Sequence, residues 1–155
     1  TLSKALGAEG GYACASKVII DYLKNKARSF IFATSQAPAA LAAALRAIEV
    51  LEEEPQRAQS LQHNVDFFLN ALHAEGFEAY SPTAIIPVII GDEATALQVA
   101  DELLANGVLA PAIRYPTVAK GTARLRIALM ATHTEAELAQ TAKLIGASIR
   151  KYKNN

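Results

Sequence analysis

Residues 123–130 read Ala-Arg-Leu-Arg-Ile-Ala-Leu-Met, and their strict alternation constrains the fold more than any other feature of the chain. Ala123, Leu125, Ile127 and Leu129 fall on one side of an extended strand, with Arg124, Arg126, Ala128 and Met130 on the other. Such a strand buries one face only, so its helices belong on a single side. One of them follows at once. Thr134 and Glu137 have the spacing of a capping box, and Leu138, Ala142, Ile145 and Ile149 then recur at helical intervals.

The rest of the chain fills in around that pair. Residues 85–90 are β-branched and read as a strand that Pro87 restricts to an edge or a bulge. Residues 92–106 read as a helix with Leu97, Ala100 and Leu104 in step and Gly107 at its end. Residues 108–114 read as extended, with Pro111 again favouring an edge. Two longer helices precede these, an Ala- and Leu-rich one over 38–54 and a second over 56–74. Leu61, Val65, Phe68 and Leu72 share a face of the second; Pro55 separates the two and Gly76 stops the latter.

The opening stretch is less regular. A loop punctuated by Gly7, Gly10 and Gly11 leads to a short strand at 12–15, a short helix over 18–23 and a β-prone run at 29–33. Thr34-Ser35-Gln36-Ala37-Pro38 reads as a helix start, with Pro38 in the first turn, where its missing N–H costs little. The expected class is α/β in the broad sense: an α+β small domain of long helices and a small, mainly antiparallel three-stranded sheet.

Composition removes several functional classes. At 52% apolar the chain of 155 residues is not disordered. Lys plus Arg and Asp plus Glu both total 15, so no net charge draws it to nucleic acid or an anionic membrane. Its apolar runs are too short to span a bilayer, and its start lacks a secretory layout. Cys14 is the only cysteine, which excludes an internal disulfide, points to a reducing cytoplasm and reads as a small packed residue. His63, His73 and His133 lack metal-ligand spacing, so no metal is expected. Met130 is the only methionine, and a chain that opens directly on a glycine-rich loop is expected to be cut from a longer polypeptide.

That loop reads Thr1-Leu2-Ser3-Lys4-Ala5-Leu6-Gly7-Ala8-Glu9-Gly10-Gly11. Taken alone, Lys4 is a solvated cation. The whole stretch, however, resembles the pyridoxal 5'-phosphate (PLP) attachment signature of the fold-type I PLP-dependent transferases, the group that includes the α-oxoamine synthases. The resemblance implies that Lys4 is the catalytic Schiff-base lysine and that the hydroxyl of Thr1 holds the cofactor phosphate. The chemistry is consistent: the lysine has to react as a free amine, a hydroxyl donates to phosphate without adding charge, and small neighbours leave room for a ring.

Ser29-Phe30-Ile31-Phe32-Ala33-Thr34-Ser35-Gln36-Ala37-Pro38 is similar to the family segment that reaches across a dimer interface to the partner's cofactor phosphate. It implies cofactor-binding roles for Thr34 and Ser35, and a helix N-terminus suits an anion on physical grounds as well. The alternative is that Thr34 or Ser35 caps the helix. Thr83-Ala84-Ile85-Ile86-Pro87-Val88-Ile89-Ile90-Gly91-Asp92 resembles the family's first small-domain strand.

Ala112-Ile113-Arg114-Tyr115-Pro116-Thr117-Val118, followed by Gly121-Thr122-Ala123-Arg124-Leu125-Arg126, extends the likeness. It implies that Arg126 clamps the carboxylate of an amino-acid substrate, a bidentate task that a guanidinium suits, while Arg124 packs structurally. The alternative is two arginines on an exposed sheet face. The pattern around Arg114 and Thr117 is similar to the branch that condenses L-alanine with a pimeloyl thioester of CoA or acyl carrier protein (ACP). Thr117 and Arg114 would then bind on the acyl-donor side. Tyr115 and Ala37 are instead similar to the branch that acylates glycine.

The resemblance implies a cytoplasmic homodimer with no nucleic-acid or membrane partner. It makes residues 1–50 the end of the PLP-binding large domain and 51–155 the C-terminal small domain. The family's carboxylate facing the pyridine nitrogen, its aromatic ring stacked on the cofactor and most of its phosphate loop have no counterpart among these residues. The chain alone is therefore expected to bind PLP weakly and not to turn over. Two other classes remain open. Thr1 could act as an N-terminal nucleophile in amide hydrolysis, although the strand-rich start of such hydrolases is missing. A non-catalytic module could instead use the Ala-rich helix for subunit association.

Overall fold

The computed structural model describes residues 1–153. In chain order they form α1 (Lys17–Lys26), α2 (Arg28–Ile31), α3 (Pro38–Glu53), α4 (Gln56–Ala74), β1 (Ile85–Gly91), α5 (Glu93–Ala105), β2 (Ala112–Ile113), β3 (Ala123–Ala128) and α6 (Glu135–Lys153). Because α3 runs unbroken through residue 50, the chain divides into two compact units at Pro55, the second beginning at Gln56.

The second unit holds the sheet, in the order β1-β3-β2 with both pairs antiparallel. The alternation of β3 is realised: Ala123, Leu125 and Ile127 are buried, and Leu129 continues the row. Ile86, Val88 and Ile90 of β1 join them, covered by Phe68 and Leu72 of α4, Leu103 of α5 and Ile145 of α6. Each such side chain contributes about 1.5–3 kcal/mol by leaving water. The opposite face keeps Ile85, Ile89 and Arg126 exposed.

Pro87 is accommodated by this geometry. The Arg126 N–H donates to the Pro111 carbonyl at 3.0 Å, away from β1, so in the Pro87–Arg126 pair the missing proline N–H faces the free edge. The register slips between Ile89 and Gly91, where the strand ends.

Two readings in this unit need correction. In α5 the buried residues are Ala96, Val99 and Leu103, whereas Leu97 and Leu104 are exposed. The packed face runs through Ala96, Val99 and Leu103, and Leu97 and Leu104 each lie one position off it. Of residues 108–114 only Ala112–Ile113 pair as a strand.

α6 opens on the expected capping box. The Thr134 N–H donates to Glu137 Oε2 at 2.8 Å, its hydroxyl donates at 2.9 Å, and the Glu137 N–H returns a bond to Thr134 Oγ1 at 3.3 Å. The Thr134 backbone bond holds the Glu137 carboxyl below its ordinary 4.5, and the Thr95 backbone bond does the same for Asp92 at the start of α5. A carboxyl lowered in the folded state stabilises above its unfolded pKa, and the effect is lost as pH falls through the folded value. Glu137→Gln is therefore expected to lower the urea midpoint at pH 7 and to converge on the parent below pH 4.5. A pH-independent gap in midpoint would contradict the capping role. Asn64 adds a second tie, its buried carboxamide donating to the Met130 and His133 carbonyls at 3.0 and 2.9 Å.

The first unit has little core. Leu2, Ala8 and Ala44 are its buried residues, with Leu6 packed against them. Its first helix starts at Lys17, and here too the structure differs from the sequence reading. Residues 12–15 form no strand, and the β-prone run around Phe30 is the single-turn helix α2 with a turn after it. Phe30 and Phe32 are 65% and 73% exposed, so nothing in the unit offers the pleated, half-buried surface on which β-prone side chains act. Cys14 is exposed rather than packed. The N-cap of α3 is Ala37, without a side-chain bond, so neither Thr34 nor Ser35 caps it.

Candidate functional site

The residues that carry chemistry fall into one group in each unit. In the first, loop 1–11 closes on itself. The Leu2 N–H donates to the Gly10 carbonyl at 2.9 Å, the Ala8 N–H to the Leu2 carbonyl at 3.0 Å, and the Gly7 N–H to the Lys4 carbonyl at 3.0 Å. Gly7 has φ +57°, which lets the turn after Lys4 close. Leu2 and Ala8 point inward and cluster with Ala44 of α3. Lys4 faces outward, exposed, and its amine has no hydrogen bond or ion pair among the described residues. Thr1 Oγ1 shares a hydrogen bond with Ser3 Oγ at 2.9 Å and donates to the Gly10 carbonyl at 3.4 Å.

Thr34 and Ser35 are exposed in the non-helical stretch before α3. Gln36, which the sequence did not single out, joins that stretch to the lysine loop. Its carboxamide donates to the Glu9 carbonyl at 3.2 Å and occupies the space a Cβ on Gly10 would need. Thr1 and Lys4 are thus tied through Gln36 to the segment that holds Thr34 and Ser35. No spacing rule links positions 10 and 36, so only coordinates reveal the contact.

In the second unit Arg126 stands on the open face of β3, opposite Pro87, and its guanidinium has no partner among the described residues. Arg124 differs. It is half-buried, in register with Ile89 and Ile113, and its Nε donates to the Thr122 carbonyl at 3.0 Å. Arg126 also lines a depression of about 590 Å³ shared with Leu109, Pro111, Met130, His133 and Glu137. Arg114 and Thr117 do not line it; both are exposed in the turn after β2, where the Arg114 carbonyl accepts from the Thr117 N–H at 3.0 Å. The structure therefore groups Arg126 with the depression and Arg114 with Thr117.

The histidines have local partners: His63 Nε2 meets Glu135 Oε1 at 2.7 Å, His73 Nε2 meets the Ala79 carbonyl at 2.9 Å, and His133 Nδ1 accepts from the Met130 N–H at 3.2 Å. Among the described residues no cluster of three or more His, Cys, Asp or Glu could hold a metal ion. No described helix is long and apolar enough to cross a membrane.

Comparison with known proteins identifies the family. The family model for aminotransferase class I and II matches residues 1–145. The 8-amino-7-oxononanoate synthase 1 of Bacillus subtilis (strain 168) is 49% identical over 146 residues, which are 94% of this chain and 37% of that protein. The chain thus spans well under half the length of that curated relative. Among solved structures, 8-amino-7-oxononanoate synthase from Francisella tularensis superposes with a TM-score of 0.85 at 29% identity, covering 99% of this chain and 45% of the other. Serine palmitoyltransferase of Sphingomonas wittichii gives 0.89 at 26% identity, covering 99% and 39%. A two-unit α+β chain with this lysine loop and this Arg-Leu-Arg strand belongs to the aminotransferase class I and II family, and the relatives it resembles within that family are α-oxoamine synthases.

Proposed function

We propose that this chain is the C-terminal part of a PLP-dependent acyltransferase that joins L-alanine to a pimeloyl thioester, of CoA or ACP. The thiol and carbon dioxide leave, and the product is 8-amino-7-oxononanoate, an intermediate of biotin biosynthesis. The observation that carries the reading is the presentation of Lys4: an exposed amine, unpaired among the described residues, at a turn closed by the Gly7 N–H on the Lys4 carbonyl.

The residues fit the cofactor. Lys4 is free to react, Thr1 and Ser3 offer neutral hydroxyls beside it, and Ala5, Gly7 and Gly11 leave open space around the loop. Lys4 would hold the cofactor covalently, and Thr1, Thr34 and Ser35 would hold its phosphate. When bound, PLP supplies an aldehyde for Lys4 and an electron-withdrawing ring that stabilises negative charge at the substrate's α-carbon. Lys4 Nζ then serves as the base that takes the α-proton of the amino acid. Arg126 holds the substrate carboxylate through paired N–H donors. Thr117 and Arg114 bind on the acyl-donor side, where a hydroxyl and a guanidinium suit carbonyl and carboxylate oxygens.

Residues 1–50 are assigned to the end of the large, cofactor-binding domain and 51–155 to the small domain of a cytoplasmic homodimer. The competing substrate pair is glycine with an acetyl thioester, the reaction of glycine C-acetyltransferase, favoured by the Tyr115-Pro116 pair and by Ala37. Turnover with alanine against glycine separates the two.

Arg126→Ala is expected to raise the KM for the amino acid by about 10- to 100-fold, the worth of charge-assisted hydrogen bonds. The effect on kcat should be smaller, and Arg126→Lys, which keeps the charge without the fork, should fall between. An unchanged KM in Arg126→Ala would remove Arg126 from the site.

A further inference from the structure

We propose that Gln36 is a positioning residue: its carboxamide clamps the Glu9–Gly10 turn and thereby fixes the loop that presents Lys4. The proposal rests on the reading of Lys4 as the cofactor-binding lysine. Loop 1–11 has three glycines and only two buried side chains, Leu2 and Ala8, so its own composition leaves much backbone freedom. Something outside it has to hold its shape. Gln36 lies just before Pro38 opens α3, it is half-buried, and its Nε2 donates to the Glu9 carbonyl at 3.2 Å.

The contact is built from both sides. Gly10 has φ +118°, a conformation that L side chains rarely adopt, and the Gln36 carboxamide sits where a Gly10 side chain would begin. The Gly10 carbonyl in turn accepts from the Leu2 N–H at 2.9 Å and from Thr1 Oγ1 at 3.4 Å. Lys4 follows two residues later and is held by the Gly7 bond to its carbonyl. The chain of contacts runs from Gln36 through residues 9–10 to residues 1–2 and on to Lys4. Moving the first link frees the Leu2 amide, and with it the height at which Lys4 stands.

The test uses the full-length protein and the variants Gln36→Ala and Gln36→Glu, the second keeping side-chain length while losing the donor. Hydrogen exchange at the Leu2 and Ala8 amides is expected to speed up roughly tenfold in both, with Leu125 unchanged. The pH titration of the bound cofactor's absorbance should shift in both, and kcat should fall more than the amino-acid KM rises. Gly10→Ala, whose Cβ displaces the carboxamide, should behave like Gln36→Ala. Unchanged exchange at Leu2 in Gln36→Ala, or a Gln36→Glu variant indistinguishable from the parent, overturns the clamp. Absence of cofactor on Lys4 in the unmodified protein overturns the functional reading and the positioning role with it, while the exchange effect would still be seen.

Discussion

Lys4→Ala is expected to lower kcat of the full-length enzyme by at least about 1,000-fold, because it removes a covalent anchor and a base whose proton transfer alone is worth about 10²–10⁴. Lys4→Arg should not rescue the loss. A guanidinium stays protonated in proteins and can act neither as a free amine nor as a base. The fold should be untouched in both variants, since Lys4 is exposed and its side chain has no partner among the described residues. Steady-state kinetics beside circular dichroism reads the two effects separately. A Lys4→Ala enzyme that retained a tenth or more of its activity would contradict the assignment of Lys4.

The largest effect on stability is expected at Phe68. Its side chain is fully buried in the second unit, in one core with Ile86, Leu125 and Ile145. Phe68→Ala removes a whole ring from a packed interior, a change that costs about 3–5 kcal/mol. Against a domain stability of about 5–15 kcal/mol, that leaves a marginal protein. Urea unfolding should show a much lower midpoint with an unchanged slope. Phe68→Leu keeps most of the volume and should cost less than about 1.5 kcal/mol. A Phe68→Ala loss below about 1 kcal/mol would mean that this core collapses around the gap or is not a core.

The second unit was largely legible in the sequence because its patterns answer to a core it contains. The 123–130 alternation and the face of Val65, Phe68 and Leu72 assume an apolar partner and each has one, while the Thr134–Glu137 box needs only its own hydrogen bonds. Where the reading went astray, the face of α5 was displaced by one position: Leu97 and Leu104 look like its core, but the buried residues are Ala96, Val99 and Leu103. The first unit was less legible for the converse reason. Phe30, Ile31 and Phe32 carry strand-forming side chains with no surface in the unit to pack on, so local hydrogen bonding makes them α2 and a turn. Cys14 follows the same logic, apolar in character yet exposed.

The candidate site divides in the same way. Lys4 and Arg126 could be singled out because each sits in a stretch resembling one family, and their side chains share one property: both are exposed cations with no partner among the described residues. Arg124 has the same residue type two positions away and a different fate, its Nε spent on the Thr122 carbonyl. Gln36 could not be found in this way. Its role comes from a contact across a sequence separation of 27 between a carboxamide and a backbone turn, which no periodicity encodes.

Reduction with borohydride of the PLP-loaded full-length protein, followed by peptide mapping, tests the central claim most directly. One phosphopyridoxyl group per chain on Lys4 is the predicted result. The 155-residue chain treated identically at low cofactor concentration is expected to take up far less than one. A label on any other lysine of the full-length protein, with Lys4 unmodified, would contradict the account.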